Sequence, residues 1–241
     1  MRIPRLYQPG DYTLQTELHL SASATQHATR VLRLTVGDEV ILFDGEGHSC
    51  VAVINSQEKK KTSVTIKKQL NQNTESPLNI HLALCISKGE RMDYAIQKVV
   101  EAGVHSITPI VSERVVVKLD EKRRQSRYAH WQGIIISACE QSGRNLLPTL
   151  HPISDYSHFI SQNHAGLRLM FDVHATTPMA KIEKQETVTT LIGPEGGFSQ
   201  AEVDSAIANG FAVTQLGPRI LRTETAALAA CVSLQTRWGD Y

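Results

Sequence analysis

The stretch LIGPEGGFSQAEVDSA, residues 191–206, places three glycines and a proline between an apolar run and an alternating one. This order predicts a strand, a tight turn and a helix. Ser199 followed by Glu202 is typical of a capping box and sets the expected helix start near residue 199. The glycines allow a positive φ and a close approach of the backbone to a ligand. In open α/β sheets ligands bind where strands end, so the stretch predicts an α/β fold with a binding site here.

The turn matches neither of two common phosphate-binding motifs. GPEGG lacks the G-x-G-x-x-G spacing of dinucleotide sites, and no lysine follows as a P-loop requires. Glu195 would also repel a pyrophosphate at a helix N-terminus, where a carboxylate itself uses the positive end of the dipole. The turn therefore favours a ligand that is neutral or cationic at this point. A tight turn whose glutamate only caps the helix is the alternative.

A second stretch, LGPRILRTETAALAA at 216–230, repeats the order of strand end, turn and helix. Ile220 and Leu221 are apolar within a surface loop, which is unusual, and they could line an adenine pocket. Thr223 or Thr225 is expected to cap the next helix. That helix is rich in alanine, so another helix could approach it closely. A buried terminal helix behind an ordinary turn is the alternative.

The rest of the chain separates into two regions at NQNTESP, residues 71–77, which contains no apolar residue and reads as a linker. We expect a domain at 1–72, a linker at 73–77 and a second domain at 78–241. The first region predicts a small β-barrel or sandwich from four strand-like runs at 31–34, 39–45, 49–55 and 62–70. The second region alternates strands (79–86, 104–111, 166–172, 188–193, 211–217) with helices (91–103, 122–142, 201–210, 225–238), which predicts a mainly parallel sheet.

Composition excludes several classes of protein. The chain has 241 residues, a formal charge of +1 and 41% apolar residues. A net charge this small does not indicate binding to nucleic acid or to a membrane surface, so any such site must be a local patch. The four cysteines form no C-x-x-C pair, which favours reduced buried thiols over a disulfide frame or a zinc site. Neither a signal core nor a membrane-length apolar run is evident, and we expect a cytoplasmic protein. The ten histidines show no metal-binding spacing, so no metal is expected.

Taken together, GPEGGFS and LGPRILRTETA resemble the SPOUT class of RNA methyltransferases. More narrowly, they resemble the family that methylates N3 of one uridine (equivalent to U1498) in 16S ribosomal RNA, the RsmE type. Further segments carry the resemblance over most of the chain: MRIPRLY at the start, VLRLTVGDEVILFDG, KGERMDYAIQKVVEAGV at 88–104 and ACEQSGR at 138–144.

The resemblance implies a fold, a cofactor and partners. It implies a small PUA-like or OB-like RNA-binding β-barrel, followed by a SPOUT domain whose chain forms a deep trefoil knot. S-adenosylmethionine is expected in the knot loops. It has no phosphate and carries a positive sulfonium, which suits a glycine turn without lysine. Expected partners are 16S ribosomal RNA or the small ribosomal subunit, and a second copy of the chain through the SPOUT domain.

Site residues follow from these motifs. For the cofactor we expect contacts, mostly through backbone groups, from Met170, Phe171, Leu191, Ile192, Gly193, Pro194, Glu195, Gly196, Gly197, Leu216, Gly217, Ile220, Leu221, Thr223 and Ala226. Glu195 is expected near an amino or ribose group, or as a clamp on its loop, because pairing with the sulfonium would slow the transfer.

The catalytic candidates are Arg222, Glu224, Glu140 and Arg144. An arginine could stabilise a uracil oxygen anion, and a glutamate could accept the N3 proton. A helix-face pair is the alternative for Glu140 and Arg144, and a favourable helix-dipole position is the alternative for Glu224. The RNA-binding candidates are Arg2, Arg5, Tyr7, Arg30, Arg33, Lys88 and Arg91. The lysines of 59–68 and the basic run of 118–127 are further clusters; a solvated hairpin face is favoured for the first, and the solvated side of a helix is the alternative for the second.

Two other functions remain open from the sequence. A non-catalytic RNA-binding protein could use the glycine turns for structure alone, and it would not bind S-adenosylmethionine tightly. A dinucleotide-dependent oxidoreductase is disfavoured by Glu195 and the missing fingerprint, and it would be stabilised by NAD.

Overall fold

The computed structural model describes residues 3–58, 61–115, 120–179 and 182–241. The chain divides into two compact units: residues 1–75 with 136–147, and residues 76–135 with 148–241. The division after Glu75 falls within the segment read as a linker. Residues 136–147 come after the first strands of the second unit in sequence, but their contacts assign them to the first unit.

The first unit is built on a five-stranded sheet with the order β1-β3-β4-β5-β2. Its strands are β1 (Arg5–Tyr7), β2 (Glu17–His19), β3 (Glu39–Phe43), β4 (Ser49–Glu58) and β5 (Lys61–Leu70). β1 is parallel to β3, and the other pairs are antiparallel. Alternate residues of the central strands form the core because successive side chains of a strand point to opposite faces. This core includes Val40, Leu42, Ala52, Ile54, Val64 and Ile66.

The predicted strand at 31–34 is wrong. A short helix α1 (Ala22–Gln26) continues into a π-helical turn, His27–Val31. The amides of Leu32 and Leu34 then donate to the carbonyls of His27 and Ala28, so they are not available to a neighbouring strand. Both leucines still pack against the core, which explains the strand-like alternation.

The second unit contains a seven-stranded sheet with the order β12-β10-β11-β6-β7-β8, and β9 also pairs with β7. Every described pairing in it is parallel. The strands are β6 (Asn79–Cys85), β7 (Ser106–Val111), β8 (Thr149–Leu150), β9 (Ser154–Asp155), β10 (Leu167–Phe171), β11 (Thr187–Ile192) and β12 (Ala212–Thr214). The predicted α/β fold with a mainly parallel sheet is confirmed.

Five helices complete the alternation: α2 (Glu90–Glu101), α3 (Glu121–Ser142), α4 (Tyr156–Ser161), α5 (Gln200–Ala208) and α6 (Thr223–Trp238). The helix predicted at 91–103 has apolar residues at helical spacing, and all of them are buried in α2: Met92, Ala95, Ile96, Val99 and Val100. Burial of each of the four larger side chains, Met92, Ile96, Val99 and Val100, contributes roughly 1.5–3 kcal/mol.

The end of α2 packs against α6, as the alanine-rich sequence of α6 suggested. Gly103 follows α2 with φ +82°, the left-handed conformation expected after a helix end. The side-chain Nε2 of Gln235 on α6 donates to the backbone carbonyls of Ala102 and Gly103, both at 3.2 Å. A Cβ at position 103 would lie 2.7 Å from that nitrogen, so any other residue would be strained by the positive φ and would also displace the Gln235 side chain.

The four cysteines are free and buried, as expected. Burial raises the pKa of Cys85, Cys139 and Cys231 to about 12 and that of Cys50 to about 11. The thiols are therefore protonated at neutral pH and are poor nucleophiles and poor metal ligands. Among the described residues, no helix combines the length and the apolar character that a membrane crossing needs.

Candidate active site

Three loops leave the same edge of the parallel sheet in the second unit. Phe171, the last residue of β10, lies opposite Ile192 at the end of β11 and opposite Thr214 at the end of β12. Because the strands are parallel and their ends are in register, the segments after 171, 192 and 214 start side by side. The glycine turn at 193–197 and the loop at 215–222 belong to this group, at the edge where α/β sheets bind ligands.

The glycine turn has the geometry that its sequence predicted. The amide of Gly197 donates to the carbonyl of Pro194 at 2.9 Å, and Gly197 has φ +67°. Both hydrogen bonds of the capping box between Ser199 and Glu202 are present at the start of α5. Gly193 has a different reason to be glycine, because a Cβ there would lie 3.0 Å from the ring of Phe198.

Two arginines hold the turn from outside. Arg91, in the first turn of α2, pairs with the carboxylate of Glu195 at 3.1 Å. Arg114 donates to the carbonyl of Gly196 at 2.8 Å. Both Arg91 and Glu195 are partly exposed, so their pair is worth at most about 1 kcal/mol. This contact agrees with Glu195 acting as a clamp on its loop.

The base of the turn is fixed through Glu113, which was not singled out from the sequence. The hydroxyl of Ser199 donates to the Glu113 carboxylate at 2.7 Å, and the amide of Glu113 donates to the carboxylate of Glu202 at 2.9 Å. These contacts join the segment after β7 to the start of α5. No motif predicted them, since Glu113 and Ser199 are distant in sequence.

A direct hydrogen bond joins the two C-terminal loops. Thr223, only 4% exposed, donates its hydroxyl to the carbonyl of Gly193 at 3.1 Å. The expectation that Thr223 or Thr225 caps α6 is wrong, because the N-cap is Arg222 and it makes no side-chain cap. The Thr223 hydroxyl instead satisfies a carbonyl of the glycine turn, and the two loops form one local structure.

Two adjacent cavities lie beside the second loop, and both are lined by Gln215, Leu216 and Gly217. The smaller has a volume of about 60 Å³, which is too small for a nucleoside. It is completed by Phe171, Asp172, Val173, Arg219, Leu221 and Ala226. The larger, about 410 Å³, lies within the range of small-molecule sites. It is completed by Pro178, Met179, Val232, Ser233, Thr236 and Arg237.

The predicted cofactor residues divide into four groups, and the first is the glycine turn described above, with Gly193, Glu195, Gly196 and Gly197 and the Thr223 hydroxyl bonded to it. Phe171, Leu216, Gly217, Leu221 and Ala226 line the cavities. Met170, Leu191, Ile192 and Pro194 are buried at the ends of β10 and β11 or directly after them, and they line neither of the two cavities. Ile220, predicted to line an adenine pocket, is 85% exposed and lines neither of these two cavities.

Sequence reasoning missed some of the cavity lining. Asp172, Gln215 and Met179 line the cavities but were not proposed as contacts. The position of Asp172 and Gln215 directly after strands β10 and β12 was a usable signal for them. Met179 is brought to the site by the fold alone.

The four catalytic candidates have different surroundings. Arg222 is exposed at the start of α6. Glu224, in the first turn of α6, has a shielded carboxylate oxygen, Oε2, with no hydrogen-bond partner among the described residues. An unpaired buried oxygen is costly, and a catalytic role is one of the explanations for such an atom.

Glu140 and Arg144 lie in the first unit and contact different partners. Glu140 accepts a hydrogen bond from the Tyr7 amide at 3.1 Å and pairs with His27 at 3.1 Å. Arg144 lies beyond the last residue of α3, is 4% exposed and binds the carboxylate of Glu75. Glu140 and Arg144 therefore do not form the helix-face pair considered from the sequence.

The RNA candidates divide by exposure. Arg30, Arg33, Lys88 and Arg91 are exposed, whereas Arg2 lies outside the described residues. Arg5 is 9% exposed and donates to the carbonyl of Arg144 and to the side chain of Asn145. The Tyr7 ring packs 5.6 Å from that of Phe43. Lys59, Lys60 and Lys118 of the further clusters also lie outside the described residues.

His81 of β6, His151 and His164 form a cluster of three histidines. The ring centroids of His81 and His151 are 5.2 Å apart, and those of His81 and His164 are 5.8 Å apart. Burial, followed by the neighbouring histidines, lowers the pKa of His81 to about 3. Within the part of the chain that the structure describes, no group of three or more His, Cys, Asp or Glu side chains could hold a metal ion.

Comparison with known proteins shows the family to which this chain belongs. Residues 74–235 match the family described as an RNA methyltransferase domain, and residues 20–67 match an RNA methyltransferase PUA domain. The chain therefore belongs to the RNA methyltransferase family. Within that class it is 36% identical, over 99% of its length and 98% of the relative's, to Ribosomal RNA small subunit methyltransferase E of Buchnera aphidicola. The resemblance noted in the sequence is confirmed.

Two solved structures are similar over the whole chain. A Legionella pneumophila protein in complex with bound S-adenosylmethionine shares 41% identity, with full coverage of both chains and a TM-score of 0.98. Ribosomal RNA small subunit methyltransferase E of Neisseria gonorrhoeae, bound to S-adenosylmethionine, shares 38% identity, with full coverage of both chains and a TM-score of 0.94.

Proposed function

We propose that this protein transfers the methyl group of S-adenosylmethionine to N3 of one uridine in 16S ribosomal RNA. The observation that carries the proposal is the pairing of the two C-terminal loops through Thr223 and Gly193, beside a cavity of about 410 Å³. The cofactor is S-adenosylmethionine, which the two similar structures hold. The narrower claim, N3 of a uridine, follows from the family that the sequence resembles.

The residues at the loops fit this cofactor. Apolar side chains such as Leu216 and Leu221 can flank an adenine, while backbone groups around Gly217 can bond its edge. Glu195 is neutralised by Arg91, so the glycine turn places no free carboxylate beside the sulfonium. That arrangement matters because a charge pair with sulfonium would stabilise the ground state, whose charge disappears during transfer.

The transfer needs a nitrogen lone pair and an outlet for one proton. When bound, the cofactor supplies a methyl carbon: the N3–C bond forms as the C–S bond breaks, and S-adenosylhomocysteine leaves. Glu224 accepts the N3 proton, and its unpaired Oε2 is the observation that favours it over Glu140. Arg222, exposed beside it, stabilises the negative oxygen of the uracil ring. Glu140 and Arg144 hold the first unit together.

The finer architecture is part of the same proposal. The loops after β11 and β12 would belong to a trefoil knot, and the first unit would close as a PUA-like barrel that binds RNA. Arg30, Arg33, Lys88 and Arg91 are exposed and remain the preferred phosphate contacts. We further propose a homodimer through the second unit and a cytoplasmic location, where small subunits assemble.

The test is methyl transfer to small-subunit RNA isolated from a strain that lacks this gene. Methylation at N3 blocks the Watson–Crick edge, so primer extension should stop at one uridine only after incubation with protein and cofactor. Glu224→Gln should lower the transfer rate at least about 100-fold, the usual contribution of a positioned base. Cofactor binding should change little. A rate within twofold of the unaltered protein would remove Glu224 as the base.

The substrate claim fails on a different outcome. If cofactor binds but the stop occurs at another nucleotide, the protein is a methyltransferase with another target. If no cofactor binds, the rival of a non-catalytic RNA-binding protein replaces the proposal.

A further inference from the structure

A second cleft lies in the first unit and belongs to none of the sites described above. Its volume is about 680 Å³, within the range of small-molecule sites. Three segments of the unit meet there: the loop before Tyr12, the turn between β3 and β4, and the end of β5. It is lined by Gly10, Asp11, Tyr12, Asp44, Glu46, His48, Ser49, Gln69, Leu70 and Asn71.

The cleft is acidic in a unit expected to bind RNA. Asp11, Asp44 and Glu46 contribute three carboxylates, and no described lysine or arginine forms an ion pair with them. Asp44 is held rigidly, since its carboxylate accepts hydrogen bonds from the amides of Glu46 and His48 and from the His48 ring. Such a surface repels phosphate groups and attracts cations.

A buried hydroxyl points to a ligand independently of the charge. Ser49 begins β4, lines the cleft and is only 2% exposed. Its hydroxyl oxygen has no hydrogen-bond partner among the described residues. Buried polar groups are nearly always paired, so an unpaired hydroxyl on a residue that lines a cleft requires an explanation, and a bound ligand that supplies the missing partner is one.

The chemistry favours an organic cation over a metal ion. The described carboxylates and histidine of the cleft do not gather into a group that could hold a metal. The volume also far exceeds that of one ion. We propose that this cleft binds an organic cation with N–H donors, either a primary ammonium or a guanidinium group. Asp11 and Glu46 supply charge, Asp44 a fixed acceptor and Ser49 a hydroxyl acceptor.

Calorimetry with the full-length protein tests the proposal. Agmatine, which carries both an ammonium and a guanidinium group, should bind saturably at one site. Asp11→Asn combined with Glu46→Gln should weaken its binding about tenfold or more, as expected for lost charged hydrogen bonds. Ser49→Ala should weaken it several-fold. The matched control is Glu17→Gln, which removes an exposed carboxylate of β2 outside the cleft and should leave agmatine binding unchanged.

Two further probes separate charge from hydrogen bonding and identify the source of the cation. Tetramethylammonium has the charge without N–H donors and should not bind. A neutral-ended peptide with one arginine should bind more tightly than agmatine if the natural ligand is a basic protein side chain, and more weakly if it is a free amine.

Three results would overturn the proposal: no saturable binding by agmatine or peptide, equal binding of tetramethylammonium, or equal loss in the Glu17→Gln control. Thermal unfolding of each variant shows whether the unit remains folded. Affinity for S-adenosylmethionine should stay constant in every variant, so this test is independent of the proposed methyl transfer.

Discussion

Replacing Thr223 by valine should separate the two loops of the cofactor site without changing the shape of the side chain. Thr223 is 4% exposed, and its hydroxyl donates to the Gly193 carbonyl at 3.1 Å. Valine keeps the β-branched shape and removes only the donor. A buried hydrogen bond of this kind contributes about 1 kcal/mol net. If the bond holds both loops in the arrangement that binds cofactor, the Kd for S-adenosylmethionine should rise about fivefold.

Isothermal titration calorimetry measures this change directly. Thr225→Val is the matched control, because Thr225 is exposed in the same helical turn and the chemical change is identical. Urea unfolding shows how much of the cost appears as global stability. Unchanged cofactor affinity in Thr223→Val, or an equal change in Thr225→Val, would refute the idea that this bond joins the two loops into one site.

Three other predictions concern the same unit. Glu195→Gln and Arg91→Gln should each weaken cofactor binding about twofold to threefold. The double variant should bind the cofactor as tightly as either single variant, because the same exposed ion pair is lost in all three. Gly197→Ala should cost about 1–2 kcal/mol in unfolding free energy because its φ is +67°, whereas Gly196→Ala meets only an ordinary 3.5 Å contact and should cost far less by urea titration. Since burial lowers the pKa of His81 from 6.5 to about 3, the unfolded state binds more protons between these values. Stability should therefore fall as pH drops through this window, by up to about 1.4 kcal/mol per pH unit, and His81→Phe should flatten a urea-midpoint profile.

Local sequence patterns predicted the second unit well. The spacing of Met92, Ala95, Ile96, Val99 and Val100 gave the buried face of α2 because a helix repeats every 3.6 residues. The capping box gave the start of α5 because it depends on residues three apart. One local pattern was misleading. The alternation at 31–34 indicated a strand, yet the amides there bond to the preceding turn.

Local sequence patterns could not predict contacts between residues that are far apart in the sequence. The membership of residues 136–147 in the first unit depends on contacts such as that of Arg144 with Glu75. The cap expected from Thr223 was replaced by a bond to Gly193, thirty positions away. The acidic cleft of the first unit likewise assembles Asp11, Asp44 and Ser49 from separate segments.

The sequence by itself determined the alternation of strands and helices, the two glycine-containing turns and the family to which the chain belongs. These depend on side-chain periodicity, on short-range hydrogen bonds and on motif identity, all of which involve residues close together in the sequence. Only the tertiary structure decided which loops share a hydrogen bond, which carboxylates are neutralised and which polar atoms are left unpaired. The physical reason is that charge pairing and desolvation depend on distance in space, and parallel strands bring together residues that the sequence keeps far apart.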